Sequence, residues 1–354
     1  MSDVLDGARV LITGGTGSLG QTLLRRLLGG ELGVPDKLIV FSRDEAKQHA
    51  MKTTWRHLQR STDDVWYHNF DELMEFQIGD VRDVDSVRRA VRRCDVVVHA
   101  AAMKQVPTCE YFPGQAVATN VLGAENVVRA VELEESVHTL VGVSTDKACK
   151  PINVMGMTKA IQERLVVGGN LHQQHCRMIA VRYGNVLSSR GSAIPLFKHQ
   201  IASGGPVTIT LPEMTRFLMT LDQAVDTIFA AMLHARRGEI FVPRVPSARI
   251  TDVVDTLIGD RPIDVITTGI RPGEKIHEIL VSEEEAFRTA ERHGYYVLVP
   301  QLPELADGPF TQALSAEYSS ADAIVTGEEL ERLVALADWV DPAMSGPGAP
   351  AVAS

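Results

Sequence analysis

The chain has 354 residues, with 35 Lys and Arg against 45 Asp and Glu, giving a net charge of −10 at neutral pH. That length suffices for one large domain or two fused ones. The acidic balance excludes a general nucleic-acid or anionic-membrane surface, which needs a basic face, and no apolar run reaches the roughly 18 residues of a membrane span.

Apolar runs alternate with longer amphipathic stretches, the pattern of repeated βα units on a parallel sheet. Strands are predicted over 8–13, 37–41, 75–78, 95–100, 139–143 and 178–182. Helices are predicted over 19–28, 45–58, 84–91, 116–133 and 154–167. The fold class is therefore α/β: a Rossmann-type doubly wound parallel sheet with right-handed crossovers. After Gly184 short strands, turns and helices mix. We read residues 1–185 as a dinucleotide-binding domain and 186–300 as a smaller mixed α/β substrate domain sharing elements with it. Residues 301–354 form a C-terminal extension, disordered after about 341, where Pro, Gly and Ala dominate. The first strand begins almost at the N-terminus, which leaves no signal peptide and gives a cytoplasmic expectation.

Between the first strand and first helix stands Thr13-Gly14-Gly15-Thr16-Gly17-Ser18-Leu19-Gly20. Glycines at 14, 17 and 20 permit a tight turn and close approach to a pyrophosphate, which the helix N-terminus then meets with amide donors. Thr16, Ser18 and Leu19 belong to the same turn. A ribose 2′-hydroxyl calls for a carboxylate after the second strand, and a 2′-phosphate calls for Arg. Ser42 and Arg43 hold that slot, Asp44 suits a helix cap, and Lys47 adds a second cation. These residues favour NADP over NAD. Asp80 and Val81, after the third strand, are placed at the adenine. Ala100, Ala101 and Ala102, after the fourth, let backbone lie against the cofactor. Asn120 is placed in the next helix, holding an irregularity near a buried lysine.

Ser144-Thr145-Asp146-Lys147 ends the fifth strand, where active-site groups gather in such sheets. Twelve residues after Lys147 comes Lys159, on a helix. Met155 stands one turn before Lys159. The four cysteines, Cys94, Cys109, Cys149 and Cys176, show no metal or disulfide spacing and are expected as reduced thiols. Cys149 lies close enough to Lys147 to be weighed as a nucleophile. No metal site is expected. Trp66, Tyr67, His68 and Phe70 form an aromatic cluster read mainly as packing.

Residues 8–300 resemble the extended short-chain dehydrogenases that act on nucleotide sugars, above all the inverting UDP-N-acetylglucosamine 4,6-dehydratases of bacterial polysaccharide pathways. The matching segments are 13–20, 41–44, 79–83, 100–107, 144–159, 182–197, 214–219 and 269–280. Most of that group carries a catalytic tyrosine where Met155 stands. Pro151-Ile152-Asn153-Val154-Met155-Gly156-Met157-Thr158-Lys159 is similar to the variant of a capsule-pathway subgroup.

The resemblance implies oxidation at C4, loss of water across C5–C6 and return of hydride to C6. This needs a regenerated nicotinamide cofactor, an acid and a base. Asp146 is assigned as the acid for the C6 hydroxyl. Lys147 is assigned as the C5 base, with its pKa expected to fall by burial. Thr145 is placed near the C4 oxygen, and Lys159 with Tyr183 at the cofactor. Met155 cannot take a proton, so either Lys147 or Lys159 must deprotonate the C4 hydroxyl.

For the UDP-sugar, the resemblance assigns Lys104, Asn185, Val186, Arg190, Ser192 and Met219 to the substrate. It assigns Arg216 and Arg271 to the diphosphate, Glu274 to the ribose, and Pro195 and Phe197 to the uracil. Lys275 and His277 are read as helix-surface residues. A homo-oligomer is expected. The alternatives are a C4 or C5 epimerase on the same scaffold, or a 5,6-dehydratase that returns no hydride to C6.

Overall fold

The computed structural model describes residues 3–61, 70–187, 193–306 and 308–336, with side chains of 57–61 excepted. Six parallel strands carry the dinucleotide half: β1 (Arg9–Thr13), β2 (Lys37–Ser42), β3 (Met74–Ile78), β4 (Val96–His99), β5 (Thr139–Thr145) and β6 (Arg177–Tyr183). Their spatial order is 3-2-1-4-5-6, the doubly wound order in which ligands bind where the winding reverses, between β1 and β4. The parallel strand Ile240–Pro243 extends the sheet beyond β6, and the antiparallel hairpin of Tyr295–Leu298 and Thr289–Arg292 closes that edge. The predicted strands and helices of the first half thus form, with bounds moved by a residue or a few.

The strands are nearly continuous apolar runs because both faces of a parallel sheet are covered. On one face Leu23, Leu24, Met51 and Trp55 pack against Val10, Ile12 and Leu38. On the other, Val87, Val127 and Val131 pack against Leu11, Ile39 and Val97. Phe70 belongs to the first face, edge-on to Trp55 at 5.7 Å. Trp66, Tyr67 and His68 lie outside the described residues.

The helix expected over 116–133 is interrupted. Pro113–Ala116 leads into a π-helical turn, Val117–Leu122, before α-helix resumes at Gly123–Leu133. Asn120 sits within that turn, fully buried. Its amide oxygen accepts from Met103 N at 2.8 Å, and its nitrogen donates to Met103 O and Thr158 Oγ1.

Beyond β6, helix Leu221–His234 returns to the central sheet, while short two-stranded sheets and helices Ala193–Ala202 and Ile250–Ile258 pack beside it. The C-terminal extension is built in. Tyr318–Ser319 pairs antiparallel with Ile279–Val281. Helix Gly327–Leu336 buries Leu330, Leu333 and Val334 against Leu187, Ile194 and Val253. The expected disorder after 341 lies outside the described residues.

Candidate active site

A cleft of about 540 Å³ runs from the glycine turn to the end of β5, a size suited to a small-molecule site. At one end its wall is backbone. Gly14 has φ +71°, and a Cβ there would stand 2.8 Å from Ala101 N. The first turn therefore lies directly on the chain leaving β4, and helix Ser18–Leu28 points its N-terminus into the gap. Thr16, Gly17, Ser18, Leu19, Gly20, Ala100, Ala101 and Ala102 all line this end. The amide donors, the close backbone approach and the cleft's volume fit a dinucleotide.

The residues assigned to the cofactor's outer end stand further off. Thr16 Oγ1 donates to the buried Ser42 Oγ at 3.3 Å, and Arg43 is exposed beside it. Lys47 lines the cleft but pairs with Asp44 at 2.8 Å, and Asp44 also caps the following helix. Asp80 pairs with Arg82, whose guanidinium holds its carboxyl below the usual range. Val81 is buried against Gly123. Ser42, Arg43, Asp80, Val81 and Asn120 are outside the cleft lining.

At the other end the wall is side chain. Thr145 caps a single 3-10 turn, Asp146–Ala148. Thr145 Oγ1 and Lys147 Nζ both donate to Asp146 Oδ1, at 2.7 and 3.1 Å. Helix Val154–Gly168 packs on this turn so closely that a Cβ at Gly156 would meet Lys147 O at 2.2 Å. Asn153 caps the helix through Gly156 N and also donates to Gly273 O, tying in the distant 269–280 segment. Met155 is buried at the cleft wall with Cys109 and Ala116. The position thus presents thioether and methyl groups instead of a phenol.

The two lysines differ in charge setting. Lys159 is buried with its Nζ donating to Val143 O and to Gln162 Oε1 at 2.6 Å. Burial lowers its pKa to about 7, with Glu163 opposing. Lys147 goes the other way, which corrects the expectation of a lowered pKa. Burial pushes it down, but Asp146 at 3.1 Å and Glu278 Oε1 at 3.2 Å outweigh burial and hold it above its ordinary value. Sequence reading missed Glu278, although it falls inside the matched 269–280 segment.

Cys149 is buried, and burial pushes its thiol up to about 12, so it is no nucleophile. Among the described residues no cluster of His, Cys, Asp and Glu could hold a metal.

The expected substrate residues divide. Lys104, Asn185 and Val186 line the cleft with Tyr183, and Asn185 Oδ1 is 3.5 Å from Lys147 Nζ. Arg190 and Ser192 lie outside the described residues. Arg216 stands behind the cleft, bonding Thr215 O and Ile276 O with its Nε 3.8 Å from Glu278. Arg271 is exposed near Glu274, and neither lines the cleft.

Phe197 is corrected: it is buried among Ile201, Val207 and Val254 and cannot face a base. Pro195 is exposed two residues earlier on the same helix, and Met219 is fully buried in the central core. Lys275 and His277 are corrected too. They lie outside any helix, Lys275 donating to Cys149 O and His277 paired with Thr215 Oγ1.

A doubly wound sheet with a glycine turn at its switch point and an Asp-Lys turn plus helical lysine across the cleft defines an extended short-chain dehydrogenase. The family model described as polysaccharide biosynthesis protein matches residues 10–300, and the chain belongs to that family of nucleotide-sugar enzymes. It is 39% identical to the UDP-N-acetylglucosamine 4,6-dehydratase (inverting) of Campylobacter jejuni (strain 81-176), over 84% of this chain and 85% of that one. It is also 39% identical to the UDP-glucose 4-epimerase of Rickettsia akari, over 94% and 96%. Among solved structures, Pen from Bacillus thuringiensis superposes with a TM-score of 0.82 at 33% identity, covering 94% of this chain and 98% of that chain.

Proposed function

We propose that the protein catalyses NADP-dependent 4,6-dehydration of a UDP-N-acetylhexosamine, UDP-N-acetylglucosamine above others, with inversion at C5. The product is a 4-keto-6-deoxy nucleotide sugar for glycan synthesis. One observation carries the reading: the glycine turn and the 3.1 Å Asp146–Lys147 pair face a single cleft. A C4 epimerase needs no acid-base pair directed at C5 and C6.

The bound nicotinamide cofactor supplies a temporary store for the C4 hydride. The remaining chemistry falls to side chains. At rest Lys147 is an ammonium beside a carboxylate. One proton crossing from Lys147 Nζ to Asp146 Oδ1 leaves an amine and a carboxylic acid. The amine then takes the C5 proton, and the acid protonates the departing C6 hydroxyl. Lys159, at about 7, is poised to accept the C4 hydroxyl proton that Met155 cannot take. Thr145, hydrogen-bonded to Asp146, orients the acid.

The test is proton NMR of the enzyme with UDP-N-acetylglucosamine in D2O without added reductant. A new C6 methyl signal with deuterium at C5 supports the reading, and the ring couplings give the C5 configuration. The near-full-length similarity to the Rickettsia epimerase favours C4 epimerisation as second reading. A changed H4 coupling without a methyl signal would select it.

A further inference from the structure

Lys147 is held by two carboxylates from distant parts of the sequence. Asp146 precedes it on the same turn. Glu278 comes from the segment before strand Ile279–Val281, 2% exposed, with Oε1 at 3.2 Å from Lys147 Nζ. The second oxygens, Asp146 Oδ2 and Glu278 Oε2, are both buried without a hydrogen-bond partner among the described residues. A carboxylate buried this deeply costs several kcal/mol unless it is paired, and its nearest cations are Lys147 and Arg216, the latter at 3.8 Å.

Glu278 is fixed by the C-terminal extension. Its backbone N donates to Ser320 Oγ at 2.9 Å, and its carbonyl accepts from Ser320 N at 2.8 Å. Ser320 Oγ in turn meets Thr215 Oγ1 at 2.6 Å.

The charged groups around Lys147 are few. Asp146 lies on its own turn, Glu278 on the segment packed against it, and Arg216 behind Glu278. The helix packed on the turn contributes Lys159 and Glu163. Lys159 is bonded to Val143 O and Gln162, and Glu163 is paired with Arg182 at 2.7 Å.

We propose that Glu278 is a positioning residue that keeps Lys147 an ammonium in the resting enzyme, so that Lys147 becomes a base only by passing its proton to Asp146. This deepens the dehydratase reading and rests on it. The pair then starts each turnover with one shared proton, and solvent cannot strip the lysine beforehand. Glu278 touches no reacting atom and acts through Lys147.

The decisive experiment is the pH profile of kcat for Glu278→Gln and Glu278→Asp beside wild type, with cofactor affinity measured in each. Removing one of two anions near Lys147 lowers its pKa. The limb where rate falls with pH, as the pair loses its shared proton, should therefore move down by about one unit or more in Glu278→Gln and return toward wild type in Glu278→Asp. An unmoved limb in a folded, cofactor-binding Glu278→Gln would overturn the role.

If that variant does not fold, competitive acetylation of Lys147 in the unliganded wild type and in Glu278→Asp, read by mass spectrometry against pH, tests the resting charge that the role requires. Reactivity suppressed until above the ordinary lysine range supports the proposal, and Lys147 titrating below that range overturns it. Because this readout needs no turnover, it separates failure of the inference from failure of the dehydratase reading.

Discussion

At the glycine-turn end the cleft is made of backbone, with Gly14 at φ +71° lying against Ala101. At the Asp146 end it is made of charges, and Lys147, Asp146, Glu278 and Arg216 arrive from the end of β5 and from two segments after residue 210. The first end can bind by shape and amide donors whatever its side chains carry. The second depends on a balance between burial and neighbouring charge, and small changes reverse it. The two lysines show this. A carboxylate on either side raises Lys147, while Lys159, one helix away and buried without an adjacent anion at its Nζ, falls to about 7.

That contrast predicts opposite signatures for damage at the two ends. Lys147→Ala should lower dehydration by about 10²–10⁴-fold while leaving cofactor affinity unchanged. Methyl formation by NMR and cofactor titration by fluorescence measure the two halves. Turnover near wild type would remove Lys147 from the base role. Gly14→Ala should do the reverse. An added Cβ at positive φ costs about 1–2 kcal/mol, and at 2.8 Å from Ala101 N it must also push the two loops apart. Cofactor affinity should fall at least tenfold and thermal stability should drop. Unchanged affinity would show that the cofactor does not rest on this turn.

Lys159 offers a pH test that needs no substrate. Its folded value of about 7 lies below the ordinary 10.5. Below pH 7 the folded protein must carry a buried ammonium. Between those values the unfolded chain binds a proton that the folded one does not, so this group makes stability rise with pH. Chemical denaturation of the cofactor-free protein should show Lys159→Met gaining on wild type at pH 6 and losing that advantage as pH climbs toward 10. A pH-independent difference would mean that Lys159 is charged in the fold as in water.

The same contrast explains what the sequence disclosed. Alternating apolar runs and a glycine turn in a strand-to-helix setting are local signals, and they led to the doubly wound sheet, its flanking helices and the glycine turn that lines the cleft. Asn120 was readable as a helix irregularity, and it lies in a π turn. Glu278 was not readable, because it reaches Lys147 through contacts distant in sequence: Ser320, 42 residues away, bonds its backbone, and Thr215, 63 residues away, bonds Ser320. Lys275 and His277 were misread because the 269–280 segment has no periodicity of its own. It is held by Asn153, Thr215 and Cys149 from other elements. Phe197 was misread because an apolar residue on a short helix fits a core as well as a binding wall, and here the Val207 and Val254 cluster claims it.

The smallest effect concerns the outer rim of the backbone end, where a side chain decides the cofactor. Arg43 is exposed after β2, next to Ser42, and no carboxylate follows β2 until Asp44, which is engaged with Lys47 and its helix. A 2′-phosphate would find a guanidinium there, whereas a 2′-hydroxyl would find no acceptor freed for it. Arg43→Ala should therefore weaken NADP by about 1.5 kcal/mol, roughly tenfold, and leave NAD nearly unchanged. Isothermal titration with both dinucleotides measures this at fixed salt, since part of any phosphate contact is screened. Equal loss for the two would mean that Arg43 serves the loop and not the phosphate. Cofactor choice would then have to lie with Lys47, whose pairing to Asp44 would need to open on binding.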